Sequence, residues 1–161
     1  MTTAKDVIRL TLGSADQIMN AYIGDLSEDD LLVPPFAGSN PIAWQLGHII
    51  AGERGMLEEL KPGSSPPLPE GFAEAHDKET AAPKTFKPFC KKDEYLRLWQ
   101  AQRAATLAAL DTIADDQLDA STGVSYAPTT AAMLNMIGVH PLMHLGQFVA
   151  VRRKAGKPVV I

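Results

Sequence analysis

Cysteine is nearly absent: Cys90 is the only one in 161 residues. An internal disulfide is therefore excluded, and so is a metal site built from several thiolates. Positive charge is not in excess. Fifteen lysines and arginines stand against nineteen aspartates and glutamates, a formal net charge of −4. That balance leaves no basic footprint for nucleic acid and no attraction to an anionic membrane surface. No apolar run approaches the roughly 20 residues of a membrane span. The opening MTTAKDVIRL carries charges where a secretory signal would need its apolar core. Strand patterning and internal repeats are also missing. Hydrophobic residues make up 45% of the chain, an ordinary globular share. The expectation is a cytoplasmic protein with one all-α domain over residues 1–161.

Four helical stretches are present. The first covers residues 4–26, with Val7, Leu10, Ala15, Ile18, Met19, Tyr22 and Ile23 at helical spacing. The second begins at Asn40 and Pro41, a capping residue and a proline suited to a first turn, and ends at Lys61, Pro62 and Gly63. Ile42, Leu46, Ile49, Ile50 and Leu57 form its apolar side, with His48 among them. The third covers residues 93–113, with Leu96, Trp99, Arg103, Thr106, Leu107, Leu110 and Ile113 on its inner or boundary face and Arg97, Gln100 and Gln102 outside. The fourth opens at Pro128, Thr129 and Thr130. It ends in Arg152, Arg153 and Lys154, which suit the negative end of a helix dipole, before Gly156 and Pro158 stop it.

Residues 62–91 show no periodicity and contain six prolines. About thirty residues is long for a connection, so it is either functional or disordered. Such a span can also return along a bundle and let the second and third helices lie parallel.

Two of the four histidines, His140 and His144, lie four apart in the fourth helix. At about 3.6 residues per turn, both imidazoles project from one face. Met133, Met136, Ile137, Phe148 and Val151 share that stripe. Bundle cores are where facing helices build metal sites, and His48 sits mid-helix in the second segment. If the two helices are neighbours, three imidazoles converge and leave a position open for chemistry. By spacing alone, core histidines bonded to backbone or to Gln147 fit equally well. Pro141 stands between the pair, where it removes one helical hydrogen bond and crowds the carbonyl of Ile137. A kink there either re-aims His140 or is simply a tolerated bend.

The block Trp44-Gln45-Leu46-Gly47-His48-Ile49, the block His140-Pro141-Leu142-Met143-His144-Leu145-Gly146-Gln147 and the tail Arg152 to Pro158 resemble the DinB-like, YfiT-like family of small metal-binding four-helix bundles. The resemblance implies an up-down-down-up four-helix bundle with the proline-rich connection between helices two and three. It implies a divalent metal on His48, His140 and His144, zinc or nickel first, iron or manganese next. It also implies kinship with transferases that act on low-molecular-weight thiols such as bacillithiol or mycothiol. The expected enzyme binds a small molecule and activates a thiol or water for transfer or hydrolysis. The alternative is a non-catalytic helical protein that dimerises through an apolar face, with a structural metal or none. A homodimer is compatible with both.

Other residues are weighed for a part in the site. Glu53, five after His48, is either a general base near the metal or a surface carboxylate facing Arg54 or Lys61. Gln147 either orients His144 or packs against a neighbouring helix. Asn135 reads as a helix-helix hydrogen bond. His76 is a fourth ligand, a substrate contact or a solvent-exposed histidine. Cys90 is a thiolate helped by Lys91 and Lys92, or an ordinary thiol. Trp44 and Trp99 read as core or interface anchors before substrate platforms, and the Arg152 to Lys154 cluster as a solvated helix end before a grip on an anionic substrate.

Overall fold

A computed structural model describes residues 1–80 and 86–160. The described residues are all-α, with no strand; a single isolated bridge pairs Ser121 with Thr129. Four long helices, α1 (Ala4–Ile23), α2 (Ile42–Leu60), α4 (Lys92–Thr112) and α5 (Thr130–Lys154), are joined by short 3-10 turns and one four-residue helix, α3 (Phe72–Ala75).

Local chemistry sets the ends of these helices. Thr3 accepts from the backbone N–H of Asp6, and Asp6 reaches back to the N–H of Thr3, a reciprocal cap that starts α1. Thr129 caps α5 through the N–H of Ala132. The N–H of Lys92 at the start of α4 is taken up by the Glu28 carboxylate, 3.0 Å away on another connection. At the start of α2 the N-cap position falls one residue after Asn40. Pro41 stands at that position, and the Asn40 carbonyl is used as described below. α5 continues unbroken through Pro141, which is buried.

α1 packs most extensively on α5, while α2 packs on both α4 and α5. Gly138 permits the first contact, since a Cβ there would lie 2.8 Å from Thr11 Cγ2. One apolar cluster joins Met19, Leu46, Ile49, Trp99, Leu145 and Phe148; a second joins Ile8, Leu12, Leu110, Leu134 and Ile137. α1 and α5 contribute to both clusters. Trp44 and Trp99 are core residues, as their sequence context suggests.

The proline-rich stretch is partly built into this core. Phe72 of α3 is fully buried against α2 and α4, a burial that contributes about 1.5–3 kcal/mol. Gln102 donates to the carbonyl of Pro66 at 3.0 Å. Gln102 is thus buried rather than outside, because the connection passes over it. The N–H groups of Gly63 and Ser65 are held by Glu58. Pro83 lies outside the described residues.

The end of α5 is also less solvated than its charges suggest. Arg152 is fully buried and donates to the Tyr22 carbonyl, the Asp25 carboxylate and the Pro158 carbonyl. Those acceptors supply what water would otherwise provide.

Candidate metal centre

α2 presents His48 to α5, and α5 presents His140 and His144 one turn apart. The three rings meet at centroid distances of 5.3 Å (His48 to His140), 5.4 Å (His48 to His144) and 5.0 Å (His140 to His144). One nitrogen from each lies within 4.8 Å of the others, a group able to hold a metal ion. Trp44 stacks flat on His48 at 4.9 Å. Gly52 leaves room for His140, whose Cε1 would be 3.3 Å from a Cβ at that position.

Hydrogen bonding assigns the ring nitrogens of His144 and His48. The side-chain amide nitrogen of Gln45 donates to the Asn40 carbonyl at 2.8 Å and to Gln147 Oε1 at 3.3 Å. Its Oε1 is thereby turned to His144 Nδ1, 2.9 Å away. An amide oxygen only accepts, so His144 carries its proton on Nδ1 and a lone pair on Nε2. The carbonyl of His76 stands 3.1 Å from His48 Nδ1 and fixes the same tautomer there. His144 Nε2 and His140 Nε2 face each other at 3.3 Å. Two nitrogens bound at about 2.05 Å on a tetrahedral zinc are about 3.3 Å apart, so this pair already has the right edge. Burial, then the neighbouring imidazole of His48 and the charge of Lys78, pushes His140 down to about 4. Burial, then His140 and His48, does the same to His144, also to about 4. Both are neutral near pH 7, the form that binds a cation. The three imidazoles, with His48 and His144 held as Nδ1–H tautomers, fit a divalent transition metal.

The histidines line a cleft of about 750 Å³ open to solvent. Met56, Met136 and Met143 line it, and Lys78, Glu59 and Tyr126 are exposed lining residues.

Glu53 does not join this site. It does not line the cleft, and its carboxylate is buried and committed elsewhere. Arg103 of α4 reaches it at 3.1 Å, and the Thr106 hydroxyl donates to it at 2.7 Å. Arg103 also lies 3.4 Å from Asp16 and 4.5 Å over the Trp99 ring. Burial pushes Glu53 up to about 7 against the pull of Arg103 and Thr106. The general-base assignment is corrected accordingly: this carboxylate belongs to a buried polar cluster between α1, α2 and α4. It is no surface carboxylate either.

His76 is buried, not exposed, and both its ring nitrogens are engaged. Gln147 acts on His144 through Gln45. Asn135 is exposed rather than at a helix contact. Burial and Glu94 push the Cys90 thiol up to about 11, so it is no ready nucleophile despite its lysine neighbours. Sequence reasoning passed over Gln45 and the His76 carbonyl. Gln45 left a signal, a glutamine three residues before His48 on the same helix face. The carbonyl left none.

The DinB superfamily model matches residues 12–148. The chain belongs to the DinB superfamily. The matched region takes in all three converging histidines and both glutamines that serve them. A search of curated proteins finds no match. No helix among the described residues of this DinB superfamily member is long and apolar enough to cross a membrane.

Proposed function

We propose that this chain holds one divalent cation on His48, His140 and His144 and acts on a small molecule bound in the adjoining cleft. The observation that carries the reading is the convergence of three ring nitrogens within 4.8 Å, with the Nδ1 protons of His48 and His144 held by fixed acceptors. His48, His140 and His144 would hold the cation, which as a Lewis acid would supply acidification of a bound thiol or water. Zinc or nickel is the ion proposed, with iron or manganese next; imidazole donors by themselves suit zinc, nickel, iron and copper about equally.

The chain's own residues do the rest. Gln45, itself held by Asn40 and Gln147, keeps His144 turned so that Nε2 is free. Trp44 keeps the His48 ring from tilting. The methionines give the cleft polarizable apolar walls that suit an organic thiol better than a bare water. Lys78 offers a cation to an anionic group of the substrate. The class is a metal-dependent transferase of a low-molecular-weight thiol, with hydrolysis as the second outcome of the same site. An open cleft at the histidines supports this over a non-catalytic interaction protein.

The fold that goes with this reading is a single cytoplasmic domain of residues 1–161. Its four long helices run up-down-down-up, and residues 62–91 form the crossover between α2 and α4.

Elemental analysis of untagged protein tests the reading beside His48→Ala, His140→Ala and His144→Ala. One divalent ion per chain, lost in each variant, is the expected result. Thiols are then screened against electrophiles with the loaded protein. No bound metal after incubation with zinc, nickel, manganese and iron(II) overturns the reading and leaves a helical interaction protein.

A further inference from the structure

We propose that His76 is a positioning residue: the segment after α2 determines which nitrogen of His48 is free. The arrangement stands on hydrogen bonds and packing; only the use made of the free nitrogen rests on the metal reading.

His76 follows α3, in a stretch whose sequence has no periodicity, yet it is 1% exposed. Its Nδ1–H donates to the Phe72 carbonyl at 2.7 Å. Its Nε2 then accepts from the Tyr95 hydroxyl at 2.9 Å, and that hydroxyl accepts in turn from the N–H of Phe89 at 3.1 Å. The ring has no lone pair to spare, so His76 is neither a ligand nor a base. It is an anchor, fixed from α3 on one side and from α4 on the other.

The anchor bears on α2 at the residue before His48. A Cβ on Gly47 would lie 2.1 Å from His76 Cδ2, so only glycine admits the ring. A glycine in mid-helix carries a conformational cost that alanine avoids, and here the gap it leaves is filled. Seated there, the main chain of His76 places its carbonyl 3.1 Å from His48 Nδ1. A carbonyl only accepts. His48 must hold its proton on Nδ1, and Nε2, on the other side of the ring, keeps its lone pair. Without that carbonyl the proton is free to move to Nε2 and close the position.

Two readouts test this on the full chain. Long-range 1H–15N correlation at pH 8, well above the ~6.5 of an ordinary imidazole, reports the tautomer of His48 in metal-free protein. Zinc titration reports affinity. Wild type is expected as the Nδ1–H tautomer. His76→Ala is expected as a mixture, with zinc affinity weaker by about 10–100-fold. Tyr95→Phe, which frees the anchor without touching α2, shifts both in the same direction and serves if His76→Ala does not fold. Adding Gly47→Ala to His76→Ala fills the vacated space; stability is expected to return, while tautomer and affinity do not. An Nε2–H tautomer in wild type overturns the proposal. So does a folded His76→Ala with His48 still fully Nδ1–H. If the tautomer shifts but neither protein binds zinc, His76 keeps its positioning role and the metal reading falls.

Discussion

Replacing Gln45 with leucine separates holding a ligand from holding the fold. Leucine keeps the buried volume and removes three hydrogen bonds at once, those to Asn40, Gln147 and His144. Gln45 is 2% exposed, but its three partners are only half-buried. Water therefore reaches them partially, and the loss for the metal-free protein is that of one or two unsatisfied groups, about 1–3 kcal/mol. The effect on the loaded protein is larger. His144 loses the acceptor that keeps its proton on Nδ1, and such losses weaken metal binding by about 10–100-fold. The assay is urea unfolding with and without zinc. With free zinc at 1,000 times the wild-type Kd, bound metal stabilises wild type by about 4.1 kcal/mol. A variant bound 100-fold more weakly gains only about 1.4 kcal/mol at the same concentration. The expected signature is a zinc-induced gain cut to about a third, on top of a modest loss without zinc. An undiminished gain in Gln45→Leu would refute the claim that Gln45 sets the state of His144.

The buried pair of Glu53 and Arg103 gives a pH-dependent prediction. Arg103→Met strands the carboxylate and costs about 3–5 kcal/mol at pH 8. Because burial already pushes Glu53 up to about 7, the carboxyl takes up a proton in acid, and the loss is smaller at pH 5. Equal losses in urea unfolding at the two pH values would contradict this. The histidines act in the opposite sense. Burial lowers His140 and His144 from 6.5 to about 4, so the unfolded chain binds protons that the folded one does not. The stability they contribute is fully present above pH 6.5 and is lost as pH falls towards 4. Glu53 is raised from 4.5, so its contribution is present below pH 4.5 and is lost as pH rises through about 7. The two overlap, so the histidine slope is read in Glu53→Gln protein without metal, by the difference between that protein and one also carrying His140→Ala and His144→Ala. An identical slope in both would show that those imidazoles are not buried.

The helices were legible because their signals are local. The start of α5 shows in Thr129 and its end in Arg152, Arg153 and Lys154, and the structure runs Thr130–Lys154. Spacing puts Trp99 on the inner or boundary face of its helix, and Trp44 reads as an anchor from its large aromatic side chain. Gln102 and Arg152 were misread because their acceptors, the carbonyls of Pro66 and Tyr22, lie far away along the chain. No helical wheel shows that a polar side chain will be met by a passing carbonyl.

The candidate site divides in the same way. The sequence by itself determined that His140 and His144 share a face, because a helix turns once in about 3.6 residues whatever surrounds it. It supplied His48 as well, on a helix of its own and by family resemblance. Only the tertiary structure decided the rest. His144 takes its tautomer from a glutamine 99 residues away, and His48 from a carbonyl 28 residues away. Glu53, five residues from His48, is drawn out of the site by an arginine 50 residues on. A proton's place on an imidazole and a carboxylate's allegiance depend on what stands within about 3 Å, and distances of that kind exist only once the chain has folded.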